Sequence, residues 1–225
     1  MIAVLESLTG DELLRLAEAG RSLARFEAEM RAAGENPVSM LTKGSRLVPF
    51  RHYPEGDVYD FATHSQFYFH AHRGNEKGHV HLFLRPRGMP AGICPEVAVP
   101  GDKDAPCHLV AVGMDERGRV EELFTTNRWV TGEAWYAAAD IARMLPGFSV
   151  AMGPYRLVGQ WLTALVSLYR PVIGELALRR DASVALWRGQ HPDRDALDDA
   201  GLEVTSRQPV DVAAWTCAVE SALKR

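Results

Sequence analysis

The chain has 225 residues, with 25 Lys and Arg against 29 Asp and Glu and a net charge of −4 at pH 7. Its apolar share of 47% and charged share of 24% are globular proportions that exclude a disordered, collagenous or low-complexity chain. The acidic balance argues against a nucleic-acid partner or an anionic membrane surface, either of which wants a basic excess.

Thr9-Gly10-Asp11-Glu12 is a capping-box pattern, and Leu13, Leu16, Leu23, Phe26, Met30 and Ala33 then recur at helical spacing until Gly34 and Pro37 stop them. This makes residues 1–37 an N-terminal helix. Residues 40–63 read as irregular, punctuated by Pro49, Pro54 and Gly56, although the run His52 to Asp60 (HYPEGDVYD) is richer in aromatic and acidic groups than a linker needs. From Gln66 the apolar period becomes two. Gln66 to His72 and His79 to Leu84 flank the turn residues Arg73 to Gly78, a β-hairpin pattern. His108 to Met114 and Val120 to Val130, joined at Asp115 to Gly118, read as two further strands.

Between the second and third of these strands lies Pro86 to Pro106, long enough to serve as a lid. Thr131-Gly132-Glu133 reads as a helix start, with Trp135, Ala138, Ala142 and Leu145 on one face. A second helix is expected from Tyr155 to about Arg170, with Pro171 as its end or kink. Leu202 to Ser206 is a short strand candidate, and Val210 to Leu223 a closing helix. The expectation is one α+β domain over residues 1–225: a four-stranded antiparallel sheet with helices on one face and helical flanks at both ends. The His-rich sheet region spans 47–133 and the helical C-terminal part 134–225.

Met1 to Leu8 lacks a basic region and a cleavage pattern, and Leu157 to Leu168 is too short to span a bilayer. Cys94, Cys107 and Cys217 form no CxxC, so each is expected to be a buried, reduced thiol. A cytoplasmic location is expected.

Seven of the eight histidines fall between His52 and His108. Alternation puts His70 and His72 on one strand face with Tyr68 and Gln66, and His79, His81 and Phe83 on one face of the next. A turn that pairs His72 with His79 sets His70 opposite His81, so both rows share one side of the sheet. The apolar set Phe67, Phe69, Val80, Leu82 and Leu84 takes the other. Opposed Cβ atoms lie about 5 Å apart, within reach of a shared metal at about 2.0–2.1 Å from each nitrogen. Four clustered imidazoles repel one another once protonated, so a bound ion is the natural reason to assemble them. A structural polar cluster and anion or nucleotide chemistry are the alternatives.

His70, His72, His79 and His81 are therefore the candidate metal ligands. His108, in phase with Val110 and Val112, is a candidate auxiliary ligand or acid/base, and Glu133 and Tyr68 are further candidate catalytic groups. Asn127, Arg128, Trp129 and Tyr53 are candidate substrate-binding residues, Arg128 because its fork fits a carboxylate. Iron is the first expectation for the metal, with zinc, copper or nickel as other fits and haem left open. The function expected is a metal-dependent oxidoreductase acting on a small anionic substrate, with zinc hydrolysis or hydration, or a non-catalytic metal or haem binder, as alternatives. His52 and His64 carry no such argument.

Several runs also carry a resemblance. His70-Ala71-His72 followed by Glu76 is similar to the first cupin motif, but no second motif follows. His79-Val80-His81-Leu82-Phe83 is similar to the histidine-triad hydrolases, with Phe83 where they place a third His. His52 to Asp60, Gln66 to Arg73, Gly78 to Leu84 and Phe124 to Glu133 together resemble a bacterial domain family of unknown function, across roughly Leu47 to Arg180. That resemblance implies one structural unit and no activity.

Overall fold

The thirteen residues from Thr9 to Arg21 begin the fold as read: Thr9 accepts the Glu12 amide while the Glu12 carboxylate accepts the Thr9 amide, and the helix runs on as α1, Gly10–Ala32. The computed structural model of the chain describes residues 2–71 and 78–225. A short α2, Pro37–Thr42, follows under an Asn36 cap. The strands are β1 Tyr53–Tyr59, β2 Ser65–Ala71, β3 Gly78–Leu84, β4 Cys107–Met114 and β5 Val120–Thr126. Then come α3 Arg128–Thr131, α4 Ala138–Met144, α5 Arg156–Gln190, a sixth strand β6 Val204–Pro209, and α6 Val212–Leu223.

The sheet has six strands in the order β1-β2-β3-β4-β5-β6, antiparallel throughout, rather than the expected four. Both additions are edge strands: β1 lies in the stretch read as irregular, and β6 overlaps the short strand expected at Leu202 to Ser206. In β1 the alternation is interrupted because Tyr53 pairs with Phe69 and Val58 with Phe67, so residues 54–57 bow out opposite Tyr68 alone. In β6 a polar run ends on Pro209, as edge strands tolerate. Helices α1 and α5 pack together, and the apolar sheet face, with Phe67, Phe69, Val80, Leu82 and Leu84 fully buried, belongs to the same core cluster.

Helix α5 runs 35 residues with Pro171 inside it, the continuation past the proline that the sequence left open beside an end near Arg170. Its buried stripe from Val158 to Ala177 lies on both sides of the proline, so packing outweighs the lost backbone hydrogen bond. By length and composition α5 is the one helix among the described residues that could cross a membrane, but most of its apolar window is buried within this fold. The strand expected to reach Val130 stops at Thr126, because the Asn127 side chain accepts the Arg128 amide and caps α3. Thr131 thus ends a helix rather than starting one, and the next begins at Ala138. Of the cysteines, Cys107 is buried, whereas Cys94 and Cys217 are exposed, and all three are free.

Asp60, itself buried, ties the β1–β2 corner to the segment before α5. Its Oδ1 accepts the amides of Ala62 (2.9 Å) and Thr63 (3.2 Å), and its Oδ2 accepts that of Ala151 (3.0 Å). Burial pushes its pKa upward, but the amides of Ala151, Ala62, Thr63 and Met152 outweigh this and hold the carboxyl below its usual value. The stability it adds is present in full above the unfolded-chain pKa and is lost as pH falls through the lower folded value. Asp60→Asn should cost about 2–3 kcal/mol at pH 7. In denaturant melts the difference from the natural protein should shrink as pH falls below about 4; a constant difference would contradict the assignment.

Candidate metal centre

Strands β2 and β3 pair with His70 opposite His79 and Tyr68 opposite His81. The expected register placed His72 opposite His79, two residues away. A two-residue offset preserves which face each side chain takes, whereas an offset of one would reverse it. The two histidine rows therefore still share a face, opposite Phe67, Phe69, Val80 and Leu82. His72 and Glu76 lie outside the described residues.

On that face three ring nitrogens converge. His79 Nε2 stands 2.7 Å from His70 Nε2 and 3.0 Å from His81 Nε2, and the three residues form a group whose donor atoms all lie within 4.8 Å of one another. Bonds of about 2.1 Å meeting near right angles place neighbouring donors about 3 Å apart, which is close to the two separations from His79. Ring protons alone suit the arrangement poorly, since a nitrogen facing two others cannot donate to both. The triad can hold a metal ion. His70 and His79 are half-buried and His81 is fully buried, so the site is open on one side.

His108 joins the cluster through a fault in the ladder. Strict alternation would set it with Val110 and Val112, which face Leu82 and Val80 on the core side. Between Leu82 and Phe83 the register shifts: Leu82 pairs with Val110 but Phe83 pairs with His108. Leu109 is the extra residue, and the bulge turns His108 onto the histidine face. Its Nε2 then lies 3.0 Å from His81 Nδ1, and its Nδ1 lies 3.3 Å from Thr126 Oγ1. His108 thus stands behind His81, on the ring nitrogen remote from the triad. It sits where a ligand-orienting partner would, not among the converging nitrogens.

Both inner rings are neutral at physiological pH. Burial first, then the neighbouring imidazoles, depresses His81 well below the usual histidine range. Burial, reinforced by the Arg180 charge, pulls His108 down to about 3. A neutral imidazole keeps the lone pair that a metal needs. Arg180 is buried over the Trp135 ring at 3.8 Å and donates to the Tyr136 carbonyl and to Asp181.

Aromatic rings wall the cluster. Tyr68 lies 5.2 Å from His81 and 5.6 Å from both His70 and Phe83, and Phe124 meets His79 at 5.1 Å. Burial, then the charges of Asp57 and Glu133, raises the Tyr68 phenol above its usual range, so it stays protonated. His52, which sequence reasoning passed over, stacks on Tyr68 at 3.6 Å, meets His70 edge-on at 5.9 Å, and holds Asp57 Oδ1 at 3.0 Å through Nδ1. The signal for it was the unexplained richness of the run from His52 to Asp60.

Other candidates lie elsewhere. Glu133 reaches the backbone of His108, accepting its amide at 2.5 Å and the Thr131 hydroxyl at 3.3 Å, and burial raises its carboxyl to about 8. Asn127 donates to the Ala196 carbonyl, Arg128 pairs with Asp198, and Trp129 Nε1 donates to the Leu202 carbonyl. Those three tie α3 to the chain between α5 and β6. Tyr53 packs against Phe69 on the core face, where its hydroxyl accepts the Val48 amide and donates to the Arg46 carbonyl. Residues 86–106 are anchored by a bridge between Val97 and Trp135 and by Arg85, which donates to Asp104.

A family model described as a domain of unknown function, DUF6969, matches residues 17–210. No curated protein and no solved structure matches the chain.

Outer partners of metal-bound imidazoles typically contribute 10- to 100-fold in affinity. His108→Ala should therefore weaken metal binding by about that factor and leave one site per chain, whereas His81→Ala should abolish tight binding. Competition titration against a metallochromic chelator measures both.

Proposed function

The chain belongs to the DUF6969 family, and we propose that it is a transition-metal-dependent oxidoreductase acting on a small anionic substrate, with iron as the metal. The observation that carries this reading is the grouping of His70, His79 and His81, with His79 Nε2 at 2.7 and 3.0 Å from the other two and all three donors within 4.8 Å, on a half-buried face walled by aromatic rings. A bound redox metal there supplies electron transfer to or from substrate and oxygen. An all-imidazole donor set also suits zinc, copper or nickel. A haem fits less well, because donors this close leave no room for a porphyrin between two axial ligands.

The surrounding groups favour redox over hydrolytic chemistry. Hydrolysis wants a carboxylate or imidazole poised as a base, but Asp57 is taken up by His52 and Gln66, and Glu133 by the His108 backbone. Tyr68, held as a neutral phenol beside His70 and His81, can donate a hydrogen bond or proton to a bound ligand. His81 is backed at Nδ1 by His108, itself beside Thr126, with its Nε2 turned to His79. Tyr68, Phe83 and Phe124 exclude water from the buried side. The exposure of His70 and His79 also fits a carrier or store, which turnover distinguishes.

Protein purified without a His tag, stripped of metal and reconstituted anaerobically should take up one Fe(II) per chain. It should then consume oxygen in the presence of small carboxylates. Replacing His70, His79 and His81 together with Ala should abolish both. No uptake of any transition metal, or uptake unchanged in the triple variant, would overturn the site; uptake without turnover would leave a binding protein.

A further inference from the structure

The bow in β1 that interrupts its pairing builds a second feature on the histidine side of the sheet. Residues 54–57 leave the ladder between Tyr53 and Val58, and a groove of about 520 Å³ opens between them and the Gln66 and Arg85 edge. Arg51, His52, Glu55, Asp57, Gln66 and Arg85 line it, so its walls are polar. His52 is a wall of this groove and also touches Tyr68 and His70, which connects the groove to the metal centre.

Two guanidiniums face it with donors to spare. Arg85 uses Nε on Gln66 (2.8 Å) and Nη1 on Asp104 (2.8 and 3.1 Å), which leaves Nη2 unspent among the described residues. Arg51 uses one Nη2 contact, to Glu55 at 3.1 Å. That pair is exposed on both sides, 53% and 87%, so it is held weakly and a competing anion can displace it. Of the two acids, Asp57 is engaged by His52 and Gln66 through both oxygens. The arginine planes are braced on rings, Arg51 over Tyr53 and Arg85 over Tyr59.

We propose that this groove seats the carboxylate of the substrate on Arg51 and Arg85, an assignment that rests on reading the adjoining triad as the metal centre. A planar carboxylate matches the guanidinium fork. The nearby Glu55 and Asp57 favour a singly charged ligand over a dianion such as phosphate. With its carboxylate on the arginines, the remainder of a small molecule runs along His52 toward His70.

Ligand-observed saturation-transfer NMR on the full chain tests this, with acetate and benzoate as probes and acetamide, benzamide and inorganic phosphate as comparators. Metal-free protein is used first, so that binding is read independently of the metal. The acids should bind and the amides should not. Arg51→Gln and Arg85→Gln should each weaken benzoate about tenfold. Glu55→Gln, which frees Arg51, should tighten it roughly threefold, a gain that misfolding cannot imitate. Equal binding of acid and amide, phosphate binding more tightly than benzoate, or affinities unmoved by all three substitutions would overturn the proposal. Repeating the titration on Co(II)-loaded protein separates the two readings. Loss of carboxylate binding with metal uptake intact removes the groove alone, and Arg-dependent binding without metal uptake removes the metal centre alone.

Discussion

Phe67 and Phe69 on β2 and Val80, Leu82 and Leu84 on β3 are fully buried, and the two strands have one parity of pairing that allows this. Each such side chain is worth about 1.5–3 kcal/mol in burial, so a slip of one residue would expose a set worth roughly 10 kcal/mol. That cost fixes the orientation of everything between them. Gln66, Tyr68 and His70 on β2 and His79, His81 and Phe83 on β3 are turned to the other face, and the histidine cluster follows from apolar packing on the opposite side of the sheet.

The site is completed where regular pairing fails. The extra residue at Leu109 brings His108 across to stand behind His81, and the four residues bowed out of β1 bring Glu55 and Asp57 toward Gln66 and Arg85. Positive φ at Gly56 and Asp57 (82° and 60°) belongs to the same excursion; the left-handed conformation is easy for Gly and uncommon for Asp. Irregular backbone thus positions chemical groups here, while the regular ladder supplies the rigid support.

Electrostatics and packing act in the same direction. Burial disfavours the charged form of His81 and His108, so the cluster avoids the mutual repulsion that protonated imidazoles would impose. The contacts from His81 Nδ1 to His108 and from His108 to Thr126 brace the ring from behind, with His81 Nε2 turned toward His79. The two half-buried members keep the face accessible.

Period-two alternation in Gln66 to Leu84 determined, from the sequence alone, that an antiparallel hairpin carries histidines on one face and an apolar row on the other. The capping box at Thr9 likewise marked α1, and the long apolar stripe marked the core of α5. Both signals are local, written in residues a few positions apart. The six-strand count, the exact partner of each histidine, the placement of His108 and the recruitment of His52 were decided by tertiary structure. Each depends on a pairing or bulge between segments far apart in the chain, and alternation read along one strand is blind to an extra residue that reverses its phase. The same limit applies to Asn127, Arg128 and Trp129, whose side chains also bond α3 to a segment about 70 residues away.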